Sequence, residues 1–306
     1  MLLVSACSTP TVPPDAQARL DGGERTDAGD EDAGGRADAG GGDAGSDAGP
    51  GVGYECGVAP TIVTSLDFSD GESPAGWSQG AQDGGSLEFS DGYLHAGYPN
   101  VSDGQTYVWF SYDISALGTL EVFIEFDARM TSPHGFKFLK FFGESGDGYA
   151  NTTVGLDYTG IDNGGMFSIG FGDGTNREND TQQIIRLDGE APELIGRSYG
   201  ATAVVETPQG ARFASSDWGT DWHHFRVRQR FNSGTSTETE VADGRVYLEI
   251  DGRVYVDAAG LFNRHYANGP LRAIGLCGWS QGDGGPFTVD YDNIVISTGC
   301  FADSAP

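Results

Sequence analysis

The alternation of apolar and polar side chains in Leu120–Met130 constrains the fold of this chain more than any other feature. A period of two is that of a β-strand with one buried face. The predicted core face consists of Val122, Ile124, Phe126, Ala128 and Met130. The opposite face carries an aromatic ring and charges, at Phe123, Glu125, Asp127 and Arg129. We expect that second face to line a solvent-filled concave sheet.

Similar runs recur from residue 61 to residue 297. The 49 glycines and 11 % aromatic residues indicate many turns between aromatic-rich strands, so an all-β fold is favoured over a helical bundle. Asp251-Gly252 lies between two runs and predicts a two-residue hairpin. The predicted strands are Thr61–Phe68, Ser86–Phe89, Gln105–Ile114, Leu120–Met130, Gly135–Phe142, Met166–Phe171, Gln183–Leu187, Trp222–Phe231, Gly244–Ile250, Arg253–Asp257, Leu271–Trp279 and Phe287–Ser297.

The charge balance excludes two classes of partner. The chain has 45 acidic and 17 basic residues and a net charge of -28. Nucleic acids and anionic membrane surfaces are bound by clustered lysine and arginine, so neither is an expected partner. No apolar run approaches the ~20 residues of a membrane-spanning helix, so membrane contact is expected only through a lipid anchor.

The N-terminal segment predicts such an anchor. Val4-Ser5-Ala6-Cys7 resembles a bacterial lipobox, which implies that residues 1–7 are the end of a truncated signal peptide and that Cys7 is lipidated. Because only six residues precede Cys7, we expect the true start codon to lie upstream. The predicted location is the bacterial cell envelope, as an outer-membrane lipoprotein facing the periplasm or the exterior.

Residues 8–53 predict a disordered acidic linker. Large apolar side chains are almost missing, so the segment cannot bury enough area to offset its ordering entropy. The tripeptide Asp-Ala-Gly starts at Asp27, Asp32, Asp38, Asp43 and Asp47. Like charges along such a segment repel one another, so it would act as a spacer.

Residues 54–301 are predicted to form one β domain, with residues 302–306 as a tail. Cys56 lies at its start and Cys300 at its end. If the first and last strands are neighbours, these two cysteines can form a disulfide, as an exported compartment permits. Cys277 would then be a buried thiol. The alternative is that all three are unpaired thiols.

Several segments in order resemble the concanavalin-A-like lectin/glucanase superfamily, over nearly all of residues 60–298. The resemblance implies a two-sheet antiparallel jelly-roll sandwich whose concave face binds or cleaves polysaccharide. Its motifs are generic to the fold, so they support architecture better than activity. They are Leu66-Asp67-Phe68, Trp222-His223-His224-Phe225-Arg226-Val227, Gly244–Asp251, Gly275–Trp279 and Val289-Asp290-Tyr291-Asp292-Asn293-Ile294-Val295-Ile296.

Glucanases of this superfamily resemble one another in a Glu-x-Asp-x-x-Glu strand motif that supplies nucleophile and acid/base. The two Glu-x-Asp segments here begin at Glu125 and Glu249 and reach Met130 and Val254 where the second glutamate belongs. A retaining hydrolase lacks its proton donor at either place, so glycoside hydrolysis is not expected.

A polysaccharide lyase is the enzymatic alternative. It needs a cation to stabilise a carboxylate-linked carbanion and a group that moves the sugar proton. His134 and the run Gly135–Phe142 loosely resemble the lysine-bearing inner strand of jelly-roll lyases, although the Gln-x-His and Tyr-x-Lys-x-Gly-x-Tyr strands of those enzymes are missing. The candidate catalytic set, only if the protein is a lyase, is Arg129, His134, Lys140 and Tyr158.

Carbohydrate binding without turnover is the main expectation, because aromatic platforms and polar groups suffice for it. A structural envelope protein is a further alternative. The strand face shared by Arg226, Arg228 and Arg230 is the only cluster expected to make a concave face basic. The candidate carbohydrate-binding residues are Trp109, Glu125, Asp127, Arg129 and Trp279.

Metal binding is expected in one form. The superfamily resemblance implies a structural calcium between the first and last strands, held by hard oxygen ligands. The candidate ligands are Asp67, Asp70, Asp290 and Asp292. Adjacent His223 and His224 should point to opposite faces of a strand, one of them into the core. The partner is expected to be a polysaccharide or glycan, and the protein a monomer.

Overall fold

A computed structural model describes the folded part of the chain, all of it within one compact unit, Val52–Pro306. The described residues are 56–99, 105–131, 136–143, 150–157, 166–171, 183–186, 193–196, 204–206, 220–233, 241, 243–261, 263, 270–276, 279–281 and 286–302. The predicted signal peptide, Cys7, the linker and Cys277 lie outside these residues. Within them, no helix has the length and apolar character needed to cross a membrane.

The described structure consists of β-strands and one short 3-10 turn at Ser115–Leu117. The strands are β1 Thr61–Leu66, β2 Trp77–Gln82, β3 Ser86–Ser90, β4 Tyr93–Tyr98, β5 Gln105–Asp113, β6 Glu121–Met130, β7 Phe136–Gly143, β8 Ala150–Asp157, β9 Met166–Phe171, β10 Gln183–Arg186, β11 Glu193–Gly196, β12 Val204–Glu206, β13 His223–Arg230, β14 Gly244–Ile250, β15 Arg253–Leu261, β16 Leu271–Leu276, β17 Trp279–Gln281 and β18 Phe287–Thr298.

These strands form two antiparallel sheets, which confirms the predicted all-β, two-sheet architecture. The first sheet has the order β12-β15-β14-β13-β6-β18-β4-β3, with β1 also paired to β18. The second has the order β11-β10-β9-β8-β7-β16-β5-β17, with β2 also paired to β5. Strands distant in sequence are neighbours in both sheets, as in a jelly roll.

The core contains the apolar faces of both sheets. In β6 the five residues predicted to face the core are buried, each at most 1 % exposed. Side chains of the second sheet complete the same cluster, among them Val108, Phe110 and Phe141. Residues that alternate with the core set therefore lie on the outer face of each sheet.

All twelve predicted strand segments contain strands, and the segment Leu271–Trp279 is divided between β16 and β17. The predicted hairpin at Asp251-Gly252 is confirmed by positive φ angles of 52° and 75°. Five described strands lie outside the predicted segments, namely β2, β4, β8, β11 and β12, and β4 carries two residues of the site described below. The turn before β4, Asp91-Gly92, also has two positive φ angles, 54° and 83°. An Asp-Gly pair in the sequence is the signal that predicts this hairpin and therefore β4.

The two ends of the domain meet as predicted. β1 pairs antiparallel with β18, from Thr61 opposite Thr298 to Leu66 opposite Ile294. Cys56 and Cys300 form a disulfide across 5.7 Å between their Cα atoms. The closed loop therefore includes the whole sandwich.

Candidate functional site

Two aromatic rings and a lysine lie together on the outer face of the second sheet. Tyr107 and Trp109 in β5 alternate with the buried residues Val108 and Phe110, so their rings point outward and are partly exposed. The two rings stack with centroids 5.5 Å apart and planes 22° apart. The ammonium of Lys140, in β7, lies 4.8 Å from the centroid of the Tyr107 ring.

Glycines on the neighbouring strands make room for this group, which we call the Lys140 face. Gly80 of β2 is opposite Trp109, and a Cβ atom there would lie 2.2 Å from the indole ring. Gly275 of β16 is opposite both Lys140 and Ser111. Trp279 of β17 is opposite Tyr107, which places its backbone beside the same face. The Trp109 indole therefore occupies the space above Gly80, and the Phe142 ring lies 3.0 Å from where a Cβ atom at Gly275 would be.

The outer face of the first sheet is not the open surface that the sequence predicts. Phe301 is fully buried against Phe123 and Tyr247, and the backbone N–H of Ala302 donates to the Glu125 carboxylate. Phe123 is 2 % exposed and Glu125 is 4 % exposed. The expectation of a solvent-filled face is wrong here, because the segment after β18 folds back over the sheet.

The predicted basic cluster of β13 is neutralised by acidic partners. Arg226 donates to Glu249 at 3.2 Å, Arg228 to Glu121 at 2.6 Å and Arg230 to Asp243 at 3.1 Å. Arg226 and Arg228 are 8 % and 9 % exposed. The Arg226 guanidinium also lies 4.3 Å from the centroid of the Phe301 ring. These arginines stabilise the first sheet and do not form a surface for a polyanion.

The pair Glu249 and Tyr247 belongs to this buried network. The Tyr247 hydroxyl donates to Glu249 at 2.5 Å. Burial and the adjacent Glu249 carboxylate raise the pKa of Tyr247, so its phenol stays protonated. A neutral phenol in this position donates a permanent hydrogen bond.

A second polar group lies at the other end of the first sheet. Asp290 of β18 is 3 % exposed and accepts hydrogen bonds from Arg129 Nε at 2.8 Å and His95 Nδ1 at 2.8 Å. Arg129 also donates from Nη2 to the Tyr93 hydroxyl at 2.9 Å. Its guanidinium lies over two adjacent rings, 4.9 Å from the Tyr93 centroid and 4.7 Å from the Trp222 centroid. We call these five residues the Trp222 cluster.

The predicted catalytic set is not brought together. Arg129 points outward from the first sheet and Lys140 from the second, with the core between them. His134 and Tyr158 lie outside the described residues. Arg129 instead contacts Tyr93, Asp290 and Trp222, and of these Asp290 was predicted as a metal ligand.

The predicted carbohydrate-binding set is divided in the same way. Trp109 and Trp279 belong to the second sheet, whereas Glu125, Asp127 and Arg129 belong to β6 of the first. One ligand cannot contact both groups through a closed core. Trp109 and Trp279 thus lie on the second sheet with Tyr107 and Lys140, apart from the three β6 residues.

Asp127 has a structural role at the end of β6. It accepts hydrogen bonds from His224 Nδ1 at 2.7 Å and Asn293 Nδ2 at 2.7 Å. Burial raises the pKa of Asp127, but these hydrogen bonds and the His224 charge outweigh it, so the net pKa is lowered. His223 bonds Asp251 at 2.6 Å. Both histidines are thus partly exposed hydrogen-bond partners of aspartates, and the prediction that one is a core residue is wrong.

The four aspartates predicted to bind calcium do not fit as a set. One Asp290 oxygen bonds His95 and the other bonds Arg129. Asp67 and Asp70 each accept a backbone N–H group within their own turn. Within the described part of the chain, no three His, Cys, Asp or Glu side chains are grouped as a metal site. Burial, then the charges of Asp127 and Asp67, raise the pKa of Asp292. Calcium thus takes no part in the proposals below.

No protein-family model and no curated protein matches this chain. Among solved structures, it is similar to an endo-β-1,4-glucuronan lyase from the fungus Trichoderma reesei, at 12 % identity and a TM-score of 0.49, over 80 % of this chain and 100 % of that one. It is similar to the GH16 endo-β-1,3(4)-glucanase SCLam, at 11 % identity and a TM-score of 0.48, over 81 % and 94 %. It is similar to the alginate lyase Aly36B, at 17 % identity and a TM-score of 0.41, over 77 % and 97 %.

Proposed function

We propose that this domain binds a uronate-containing polysaccharide across the Lys140 face and cleaves it by β-elimination. The observation that carries the proposal is the position of the Lys140 ammonium, 4.8 Å from the Tyr107 ring and beside the Tyr107–Trp109 stack. A cation, a phenol and an aromatic platform on one partly exposed face are the elements that this chemistry requires.

Local charge supports an anionic substrate despite the net charge of -28. The residues opposite Lys140 in the adjacent strands, Thr153 and Gly275, are uncharged. The basic residues of β13 lie on the first sheet, not on the sheet of Lys140, and each is paired with a carboxylate there. We assign to Lys140 the pairing with a sugar carboxylate.

The proposed reaction is a β-elimination. The proton on the carbon next to the sugar carboxyl leaves, and the electron pair of that C–H bond forms a carbon–carbon double bond. The glycosidic C–O bond on the adjacent carbon breaks, and its oxygen leaves with the electron pair and takes up a proton. Lys140 stabilises the negative charge that develops on the carboxylate. The Tyr107 phenol oxygen takes up the proton from the carbon while its own hydroxyl proton passes to the leaving oxygen, so the phenol is neutral before and after the step.

Binding without turnover is the second candidate function. The nearly parallel Tyr107–Trp109 stack favours it, because two adjacent rings form a platform for successive sugar rings whether or not a bond is broken. This candidate shares the face, the residues and the polymer class with the first. The two differ only in whether the polymer is shortened.

One experiment separates the two candidates. The full 306-residue chain is run on native gels cast with alginate, glucuronan or polygalacturonate, and the gels are incubated and stained for remaining polymer. We expect retardation, loss of stain and rising ultraviolet absorbance from the new double bond. Retardation with intact polymer would leave binding alone, and neither effect with any uronate polymer would overturn both candidates.

Lys140 variants test the assigned role. Lys140→Ala should lower the rate by ~10²-fold or more while the Tm stays close to that of the wild type. Lys140→Arg should restore binding of the carboxylate. Arg272→Ala is the matched control, because Arg272 is an exposed cation on β16 of the same sheet. An equal loss of rate in Arg272→Ala would indicate a general charge effect and contradict the role of Lys140.

A further inference from the structure

The Trp222 cluster lies on the outer face of the first sheet and has no part in the proposed function. β4, β6 and β18 supply Tyr93, His95, Arg129 and Asp290, and Trp222 immediately precedes β13. The centre of the cluster is buried, since Asp290 is 3 % exposed. Its outer groups are accessible: Trp222 is 38 % exposed, and the side chains of Arg129 and His95 are 32 % and 26 % exposed.

The buried carboxylate holds the outer groups in fixed positions. One Asp290 oxygen bonds His95 Nδ1 and the other bonds Arg129 Nε, so both side chains are oriented by the same residue. The Tyr93 ring packs 4.3 Å from the His95 ring and 5.5 Å from the Trp222 ring, in the latter case edge to face. Groups held in this way lose little conformational entropy when a ligand binds.

Hydrogen-bonding groups point away from the cluster beside an exposed ring. Among the described residues, Arg129 uses Nε and Nη2 in the bonds above, and we assign its Nη1 group to a ligand. His95 bonds Asp290 through Nδ1, which leaves Nε2 on the opposite side of its ring. An apolar ring with adjacent donors is the arrangement that recognises a sugar, whose ring faces carry C–H groups and whose edge carries hydroxyls.

The charge of the cluster selects among sugars. Arg129 and Asp290 neutralise each other, and exposed Glu88 of β3 is opposite His95. Asp221 adds another exposed carboxylate next to Trp222 in the sequence. The exposed carboxylates would repel a carboxylated or sulfated sugar. They would not weaken the binding of a neutral sugar.

We propose that the Trp222 cluster is a second carbohydrate-binding site, specific for a neutral sugar that stacks on Trp222 and accepts hydrogen bonds from Arg129 and His95. The Lys140 face and this site lie on opposite sides of the sandwich. Occupation of one site leaves the other accessible. The second site does not depend on turnover at the Lys140 face.

The test uses neutral polymers and variants on each sheet. The full chain is run on native gels cast with laminarin, galactomannan, xyloglucan or starch, and its retardation is compared with that of Trp222→Ala, Leu117→Ala and Lys140→Ala. We expect one or more polymers to retard the wild type and Trp222→Ala to weaken that binding by ~5-fold or more. Leu117→Ala removes an apolar side chain that is 42 % exposed, and it should bind as the wild type does.

Each outcome decides the proposal. No retardation by any of these neutral polymers overturns it, as does retardation that Trp222→Ala leaves unchanged. Circular dichroism spectra confirm that each variant is folded before it is scored. Uronate gels with Lys140→Ala report separately on the proposed function, so either site can fail while the other stands.

Discussion

Asn232 and Asn263 each donate a backbone N–H to the side-chain oxygen of the other, at 2.9 Å and 3.0 Å. Asn263 Nδ2 also donates to the Arg230 carbonyl at 2.8 Å. The two asparagines are 0 % and 3 % exposed. This reciprocal pair joins the end of β13 to the chain after β15, where Gly244 has no room for a side chain because a Cβ atom would lie 2.4 Å from Asn263 Oδ1.

Removal of either side chain leaves a buried N–H group without its acceptor. Asn263→Ala should lower the free energy of unfolding by about 2–3 kcal/mol, measured by urea denaturation. Because the two residues form one unit, Asn232→Ala combined with Asn263→Ala should cost less than the sum of the single changes. Strict additivity would contradict the reciprocal arrangement.

Gly80 controls the position of Trp109 on the Lys140 face. In Gly80→Ala the new methyl group would lie 2.2 Å from the indole, so the ring must move. We expect weaker retardation on uronate gels, with a Tm close to that of the wild type. Gly57→Ala is the matched control, because a Cβ atom there has nothing within 4 Å, and it should bind normally. Unchanged binding in Gly80→Ala would show that Trp109 is not part of the surface.

Gln229 is the clearest opportunity to stabilise the fold. Its side-chain nitrogen and oxygen are buried without a hydrogen-bond partner, and the residue is 0 % exposed. Gln229→Met keeps the approximate volume and removes the unsatisfied amide, so the free energy of unfolding should rise by about 1–2 kcal/mol. A lower Tm in thermal denaturation would show that the amide is satisfied by a buried water molecule instead.

The raised pKa of Asp292 gives a pH-dependent test. Because the folded state binds this proton more tightly than the unfolded chain does, ionised Asp292 destabilises the fold at neutral pH. Asp292→Asn removes that charge and keeps an acceptor for the Asn293 N–H, which Asp292 accepts at 2.7 Å. The variant should be more stable by less than ~1 kcal/mol at pH 7.

This advantage should disappear as the pH falls through the raised pKa of Asp292, where the wild-type carboxyl also becomes neutral. Asp127 behaves in the opposite way, since its lowered pKa means that its stabilising contribution is lost in acid. Thermal melts of the wild type and of Asp292→Asn between acid and neutral pH measure the difference in Tm. A constant difference across that range would contradict the assignment to Asp292.

Loss of the disulfide should destabilise the whole domain. Cys56 and Cys300 are separated by 244 positions in sequence, and closure of so long a loop contributes at most ~4–5 kcal/mol in the chain-entropy model. Cys56→Ser should therefore lower the Tm under non-reducing conditions. Addition of a thiol reductant should lower the wild-type Tm toward that of the variant and leave the variant itself unchanged.

Most strands were predictable from the sequence because the alternation of apolar and polar residues is local. The hydrogen-bond partners of polar side chains were not predictable from it. Arg129 and Asp290 are 161 positions apart, and His95 and Asp290 are 195 apart. Only the register of β4, β6 and β18 brings them together, and no pattern within one segment specifies that register. Likewise, the outer face of β6 resembles an exposed surface in sequence, and Phe301, from the end of the chain, covers it.

The disulfide also determines how the domain would respond to tension. A pull on the chain before Cys56 is transmitted through the sulfur bond to Cys300 and thus to the end of β18, which β6 and β4 flank and to which β1 also pairs. The load therefore reaches the twelve-residue strand β18 directly and does not depend on the pairing of β1 alone. A domain with this connection is mechanically suited to be held by its N-terminal side.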